Sequence, residues 1–228
     1  MLLFFPQAYV PAAPLQSRVC SSLQAITPTQ KRKGKNHIRW DERETLTSPD
    51  RRWKLDVFPV FDGKDNHSPV QLTDCADSKT HTIMYLESEA DVHWGPDGNS
   101  LLIVDEQCAV CSDLLLFGDV ESRLHEEKPN THTKSRVADE IHHAVEKRVG
   151  ADMDLYHYAV EFAWWQGNSL IVSISVDSVK KDTDGSAAGN SDKMVGHCYG
   201  AIVDTKENRL VRLVLDKELR KEYDGHCE

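Results

Sequence analysis

Apolar residues along this chain come in short, dense runs separated by turn-forming residues, and a period of two dominates. Trp53, Leu55 and Val57 alternate with Arg52, Lys54 and Asp56, and Phe58-Pro59 closes the run. That spacing predicts a half-buried strand. Ser48-Pro49-Asp50 ahead of it supplies turn chemistry, because Pro presets φ and Asp bonds nearby backbone amides. A polar loop over 63–69 follows, and Val70-Gln71-Leu72 starts a returning strand. A second unit has the same plan: a strand over 91–94, a turn over 95–99, a strongly apolar strand over 100–105 and an antiparallel partner over 113–120. Such nearly continuous apolar strands are covered on both faces. A third unit reads as a strand over 161–165, a turn over 166–168, a strand over 169–176, a polar loop over 180–193, and a hairpin joining 198–204 to 209–215.

One segment breaks the rhythm of two. Over 135–149, Val137, Ile141, Val145 and Val149 (or Ala144) fall on one helical stripe. Ser135 is placed to cap this helix, Asp139 and Glu140 sit at its positive end, Lys147 and Arg148 at its negative end, and Gly150 stops it. A shorter helix is predicted over 216–223. The predicted class is therefore mainly β, antiparallel sheets with one packed amphipathic helix at 135–149.

The turns carry a resemblance. Ser48-Pro49-Asp50 with Trp53, and then Trp94-Gly95-Pro96-Asp97-Gly98-Asn99-Ser100-Leu101-Leu102, resemble the W-S-P-D-G-x-x-L signature of TolB-type, WD40-like propeller repeats. Trp165-Gln166-Gly167-Asn168-Ser169-Leu170 is a third copy without Pro and Asp. Arg51 stands where the first copy would have Gly, and Gly95 where the second would have Ser. The resemblance makes Trp53, Trp94, Pro96, Asp97, Gly98 and Trp165 structural repeat residues. In it Trp packs between neighbouring sheets, the Pro-Asp-Gly turn reverses the chain, and each sheet exposes a face only its neighbour covers. Three copies fall short of the four or more blades of a closed propeller, so an incomplete propeller or a sandwich is expected.

Charge divides the chain. Residues 1–40 contain no acidic residue and carry Arg18, Lys31, Arg32, Lys33, Lys35 and Arg39, within an overall net charge of −10. Residues 1–40 are read as a basic leader, a signal remnant or a disordered segment, and 41–224 as a single mostly β domain. The acidic body repels nucleic acid and anionic membrane at long range, and no apolar run reaches the roughly 20 residues of a membrane-spanning helix. Among specific compartments, an exported or periplasmic one is slightly favoured by the apolar start, with a cytoplasmic one otherwise; Pro6, Pro11 and Pro14 interrupt that start.

Candidate chemistry is sparse. Cys108-Ala109-Val110-Cys111 has zinc-knuckle spacing and would need His197-Cys198 or His226-Cys227 to complete four ligands. An H-C pair does not readily present both side chains to one ion, so a disulfide or inert thiols are the stronger reading. Asp182-Thr183-Asp184-Gly185 has the start of a calcium loop, but Ala188 stands in the later part of that pattern. No nucleophile elbow, P-loop, dinucleotide fingerprint or H-E-x-x-H appears. The sequence points to a non-enzymatic interaction or structural protein with a protein partner, no cofactor and no catalytic residue. The alternatives are an enzyme with an unrecognised site and a small zinc protein using Cys108 and Cys111.

Overall fold

A computed structural model describes residues 37–39, 41–61, 66–86, 88–108, 111–124, 136–181 and 194–223. Three four-stranded antiparallel sheets lie face to face. The first runs β2 (Glu44–Thr47), β3 (Trp53–Val57), β5 (Asn66–Asp74) and β6 (Thr80–Leu86), with short β4 (Val60–Phe61) also beside β5. The second runs β1 (His37–Ile38), β7 (Glu89–Trp94), β8 (Leu101–Cys108) and β9 (Cys111–Phe117). The third runs β10 (Met153–Gln166), β11 (Ser169–Lys180), β12 (Val195–Asp204) and β13 (Arg209–Leu215). Among the described residues, one parallel register pair, Tyr158 with Cys111, joins the second sheet to the third.

Side-chain parity explains the stacking. On β8, Leu101 and Ile103 enter the core shared with the first sheet, while Leu102 and Val104 enter the core shared with the third. The middle sheet is therefore apolar on both faces, as its uninterrupted run predicts. Trp53 and Trp94 are both 1% exposed and lie in the core between the first two sheets. The outer face of the first sheet carries Thr45, Lys54, Asp56 and Gln71, with Lys54 paired to Asp56 at 2.7 Å and Thr45 donating to Asp56 at 2.6 Å. A polar face ends the stack on that side.

The predicted helix is α2 (Arg136–Val149), and its Val137, Ala138, Ile141 and Val145 are buried in the core between the second and third sheets. It packs on β9, β10, β12 and β13 across the junction that one ladder pair bridges. The terminal helix α3 (Asp216–Tyr223) matches its predicted span and covers the outer face of the third sheet, where Leu219 is buried with Trp164, Ile171, Ile202 and Val214. It comes this close because residue 200 is Gly: a Cβ there would overlap the Leu219 side chain and lie 2.9 Å from Val214 Cγ2.

Some boundaries differ from the sequence reading. His37 and Ile38, placed in the leader, form β1 and pair with Asp91 and Ala90, and Ile38 is fully buried. The strand predicted over 113–120 stops at Phe117, and α1 (Val120–Leu124) begins after it. Asp119 caps that helix, accepting from Ser122 N at 3.1 Å and Ser122 Oγ at 2.7 Å. Strand β6 went unpredicted. The β5–β6 register shifts between Val70 and Gln71, which buries Ile83 and Met84 side by side and breaks the alternation.

Candidate binding site at the turn end of the second and third sheets

The two proline turns share one hydrogen-bond pattern. Ser48 N donates to Trp53 O at 2.9 Å and Arg51 N to Ser48 O at 2.9 Å; Gly95 N donates to Ser100 O at 2.7 Å and Gly98 N to Gly95 O at 3.0 Å. Asp50 accepts from Arg52 N, as Asp97 accepts from Asn99 N, both at 3.0 Å. Gly98 sits at φ 71° and Gly167 at φ 60°. Arg51 occupies the same left-handed region at φ 60°, so the replacement of Gly in the first copy leaves the turn geometry intact. The first two turns also touch, because a Cβ on Gly98 would lie 2.5 Å from the Asp50 carboxyl carbon. Arg52 adds a tie, reaching Glu121 at 2.8 Å and Asp74 at 3.3 Å, with its guanidinium over the Trp53 ring.

The second turn faces the third sheet across a crevice of about 600 Å³. Pro96, Asp97, Asn99 and Asp119 form one wall; Trp165, Asn168 and Lys206 form the other. Its floor is set by Gly118, where a Cβ would overlap the Thr205 carbonyl oxygen. The two sheets approach here by backbone contact, and only glycine permits it.

The acidic wall is committed to structure. Asp97 Oδ1 accepts from Asn99 N and Ser100 N, and its Oδ2 from Ser100 Oγ, all at 3.0 Å. Asp119 also accepts from Asn99 Nδ2 at 2.9 Å, and the Ser122 hydroxyl, the Ser122 amide and Asn99 together hold its carboxyl below the usual range. On the opposite wall, Lys206 makes no ion pair among the described residues, and the Trp165 indole is half-buried with its Nε1 unpartnered. The crevice thus offers an aromatic face, an amide and a free ammonium, which suits recognition.

Two histidine pairs elsewhere hold fragments of a nucleophilic triad without assembling one. Ser178 Oγ lies 3.1 Å from His197 Nε2, and His157 Nδ1 lies 2.8 Å from Asp177 Oδ2. Asp177 and Ser178 are consecutive on β11 and point to opposite faces, so the pairs cannot act together. A third cluster sits on the second sheet. His37 Nδ1 lies 3.0 Å from Asp91 Oδ1, and His37 Nε2 lies 2.9 Å from Glu89 Oε2. Burial lowers the His37 pKa, but Asp91 and Glu89 outweigh it and the net shift is upward. On the same strand, burial holds the His93 imidazole pKa down.

The residues singled out from the sequence separate in space. Trp53 and Trp94 are core wedges. Pro96 and Asp97 line the crevice, Gly98 is buried behind it, and Trp165 is half-buried, packing against the core between the second and third sheets while also lining the crevice. Cys108 and Cys111 are register partners at the ends of β8 and β9, and their side chains lie outside the described residues, as do the 182–192 loop, His226 and Cys227. Cys198 is in a disulfide, as is Cys75, so its sulfur is not a thiolate ligand, and neighbouring His197 points to the opposite face of β12. Asn99, Asp119, Asn168 and Lys206 were not picked out for a site. Asn99, Asn168 and Lys206 lay in predicted turns, which mark loop chemistry without saying which loops meet, and Asp119 lay in the strand predicted over 113–120.

Fold and crevice together define a β-repeat scaffold: three antiparallel four-stranded sheets arranged in propeller-like fashion, with turns gathered at one end. No described helix is long and apolar enough to cross a membrane. No protein-family model matches the chain, and no curated protein matches it. Among solved structures it is similar to the β-propeller domain of the Trilobed protease from Pyrococcus furiosus, described as having an open velcro topology, at 14% identity and a TM-score of 0.35. That match covers 84% of this chain and 60% of the other, so this chain spans less than two thirds of that domain.

Proposed function

We propose that this protein is a non-enzymatic interaction module with TolB-type, WD40-like repeat turns, and that it binds a short extended segment of a partner protein in the crevice between its second and third sheets. The observation that carries the reading is the division of labour across that crevice. Asp97 and Asp119 already accept hydrogen bonds from neighbouring amides and hydroxyls, while the side chains of Trp165, Asn168 and Lys206 make none among the described residues. An extended peptide matches those groups: an apolar side chain on the Trp165 and Pro96 surfaces, backbone on the Asn168 amide, and an acceptor on Lys206. The matched hydrogen-bond pattern of the first two turns supports the repeat assignment.

The test is selection of phage-displayed dodecapeptides on the purified chain. Peptides binding the wild-type protein should lose at least tenfold in affinity with Trp165→Ala and Lys206→Glu, and should keep it with the remote surface change Lys147→Ala. Selected peptides that bind all these variants equally would move the interaction elsewhere, and failure to select any binder would remove the peptide-binding reading.

A further inference from the structure

We propose that His37, Asp91 and Glu106 form a binding site for a divalent transition-metal ion, with zinc the ion their chemistry suits best. The three come from adjacent strands β1, β7 and β8, and one ligand atom from each lies within 4.8 Å of the others. The ladder fixes this arrangement. His37 is opposite Asp91, and Glu106 is opposite Glu89. Ala90, Val92 and Trp94 fill the core with the first sheet, so Glu89, Asp91 and His93 share the other face of β7.

The spacing suits a small ion. Ligands roughly 2.0–2.2 Å from a tetrahedral zinc lie about 3.3–3.6 Å apart. His37 Nδ1 and Asp91 Oδ1 are 3.0 Å apart, so a few tenths of an ångström of side-chain adjustment would admit the ion. The other ring nitrogen, Nε2, is 2.9 Å from Glu89, which gives the imidazole the carboxylate partner that orients metal-bound histidines. One imidazole with two carboxylates favours zinc or manganese over calcium and magnesium, which prefer all-oxygen sets. A separate observation points the same way. His93, two residues along β7 on the same face, is partly buried, has Asp91 as its charged neighbour, and makes no hydrogen bond among the described residues. A half-buried imidazole that makes no hydrogen bond among the described residues, beside such a cluster, is within the chemistry of a further ligand. Three protein ligands leave a fourth position for water or for that imidazole.

The experiment uses the full chain stripped with chelator and titrated with zinc chloride by calorimetry, then with cobalt(II) followed by visible absorption. One saturable equivalent of zinc is expected, weakened at least tenfold by Asp91→Asn and by Glu106→Gln and unchanged by His142→Ala on the exposed face of α2. Cobalt should give ligand-field bands without sulfur-to-cobalt charge transfer. Absence of a saturable ion, binding that survives both substitutions, or a charge-transfer band assigning the metal to cysteine sulfur would each overturn the proposal. The cobalt spectrum of the wild-type protein decides the case even if a variant fails to fold.

Discussion

Replacing Trp94 with Ala probes the seam between the first two sheets. Its indole is 1% exposed and packs in the cluster that also holds Trp53, Leu101 and Phe117. A buried Trp→Ala change costs about 3–5 kcal/mol from lost transfer energy and the cavity left behind. A second term opposes part of this. Trp94 Nε1 is buried without a hydrogen-bond partner, and removing an orphaned donor returns about 1–3 kcal/mol. The expected loss for Trp94→Ala is therefore about 2 kcal/mol. With about 2–4 °C per kcal/mol in a chain of this size, that lowers the melting temperature by about 4–8 °C. Trp94→Phe removes the same orphan and leaves a smaller void, so it should cost about 1 kcal/mol or less. Urea unfolding followed by far-ultraviolet circular dichroism reads both, with an unchanged m-value showing that the native state stays compact. A loss below about 1 kcal/mol for the Ala variant would refute the packed seam. A loss for Trp94→Phe well above about 1 kcal/mol would show that the indole N–H is satisfied.

Further predictions concern other parts of the molecule. Arg51→Gly relieves a left-handed residue and should stabilise by about 0.5–1 kcal/mol, read as a higher urea midpoint; a lower midpoint would mean that the Arg51 side chain makes a compensating contact. Gly118→Ala forces a Cβ into the Thr205 carbonyl and should part the second and third sheets, costing at least about 2 kcal/mol and abolishing peptide binding, whereas a wild-type melting curve would place the two backbones further apart. The Asp119 carboxyl is held low by Ser122 and Asn99, and Glu140 by the Leu210 amide and Arg136. Both contribute stability above the ordinary carboxylate range that is lost as pH falls through their lowered native values, so Asp119→Asn should flatten the acid limb of a stability–pH curve, and an unchanged limb would show that this carboxylate is not linked to folding. Cys75 and Cys198 are disulfide-bonded, so without reductant they should resist alkylation in mass spectrometry, and reductant should cost about 2–4 kcal/mol per bridge; ready alkylation of either would contradict the bridges.

What the sequence made legible was local. The stripe of Val137, Ile141 and Val145 gave α2, Arg209 to Leu215 and the residues after it gave β13 and α3, and Gly167-Asn168 gave a two-residue hairpin turn. Each depends on spacing within a dozen residues. Strand β6 escaped because a register shift destroyed its alternation, and β1 because two residues carry no period. The repeat resemblance assigned Trp165 the same wedge role as Trp53 and Trp94. Its copy lacks the Pro-Asp turn, and its ring packs against the core between the second and third sheets only in part, with the rest at the crevice wall. The crevice and the His37 cluster were illegible for another reason. Lys206 faces Pro96 across a crevice set by sheet stacking, and His37 meets Asp91 through the pairing of β1 with β7, each across a long stretch of chain.

Among the described residues, the junction between β9 and β10 has one rung where every neighbouring strand pair within the second and third sheets has two or more. In mechanical terms it is the perforation in the sheet. A force pulling the second and third sheets apart meets that ladder pair, the bond from Val160 N to Ser112 Oγ at 3.4 Å, and the apolar core the two sheets share with α2. The crevice straddles the same line, with Pro96 and Asn99 on one bank and Trp165 and Lys206 on the other. An occupant touching both banks closes the seam like a rivet, so amides of β9 and β10 should exchange with deuterium more slowly in the complex than in the free chain.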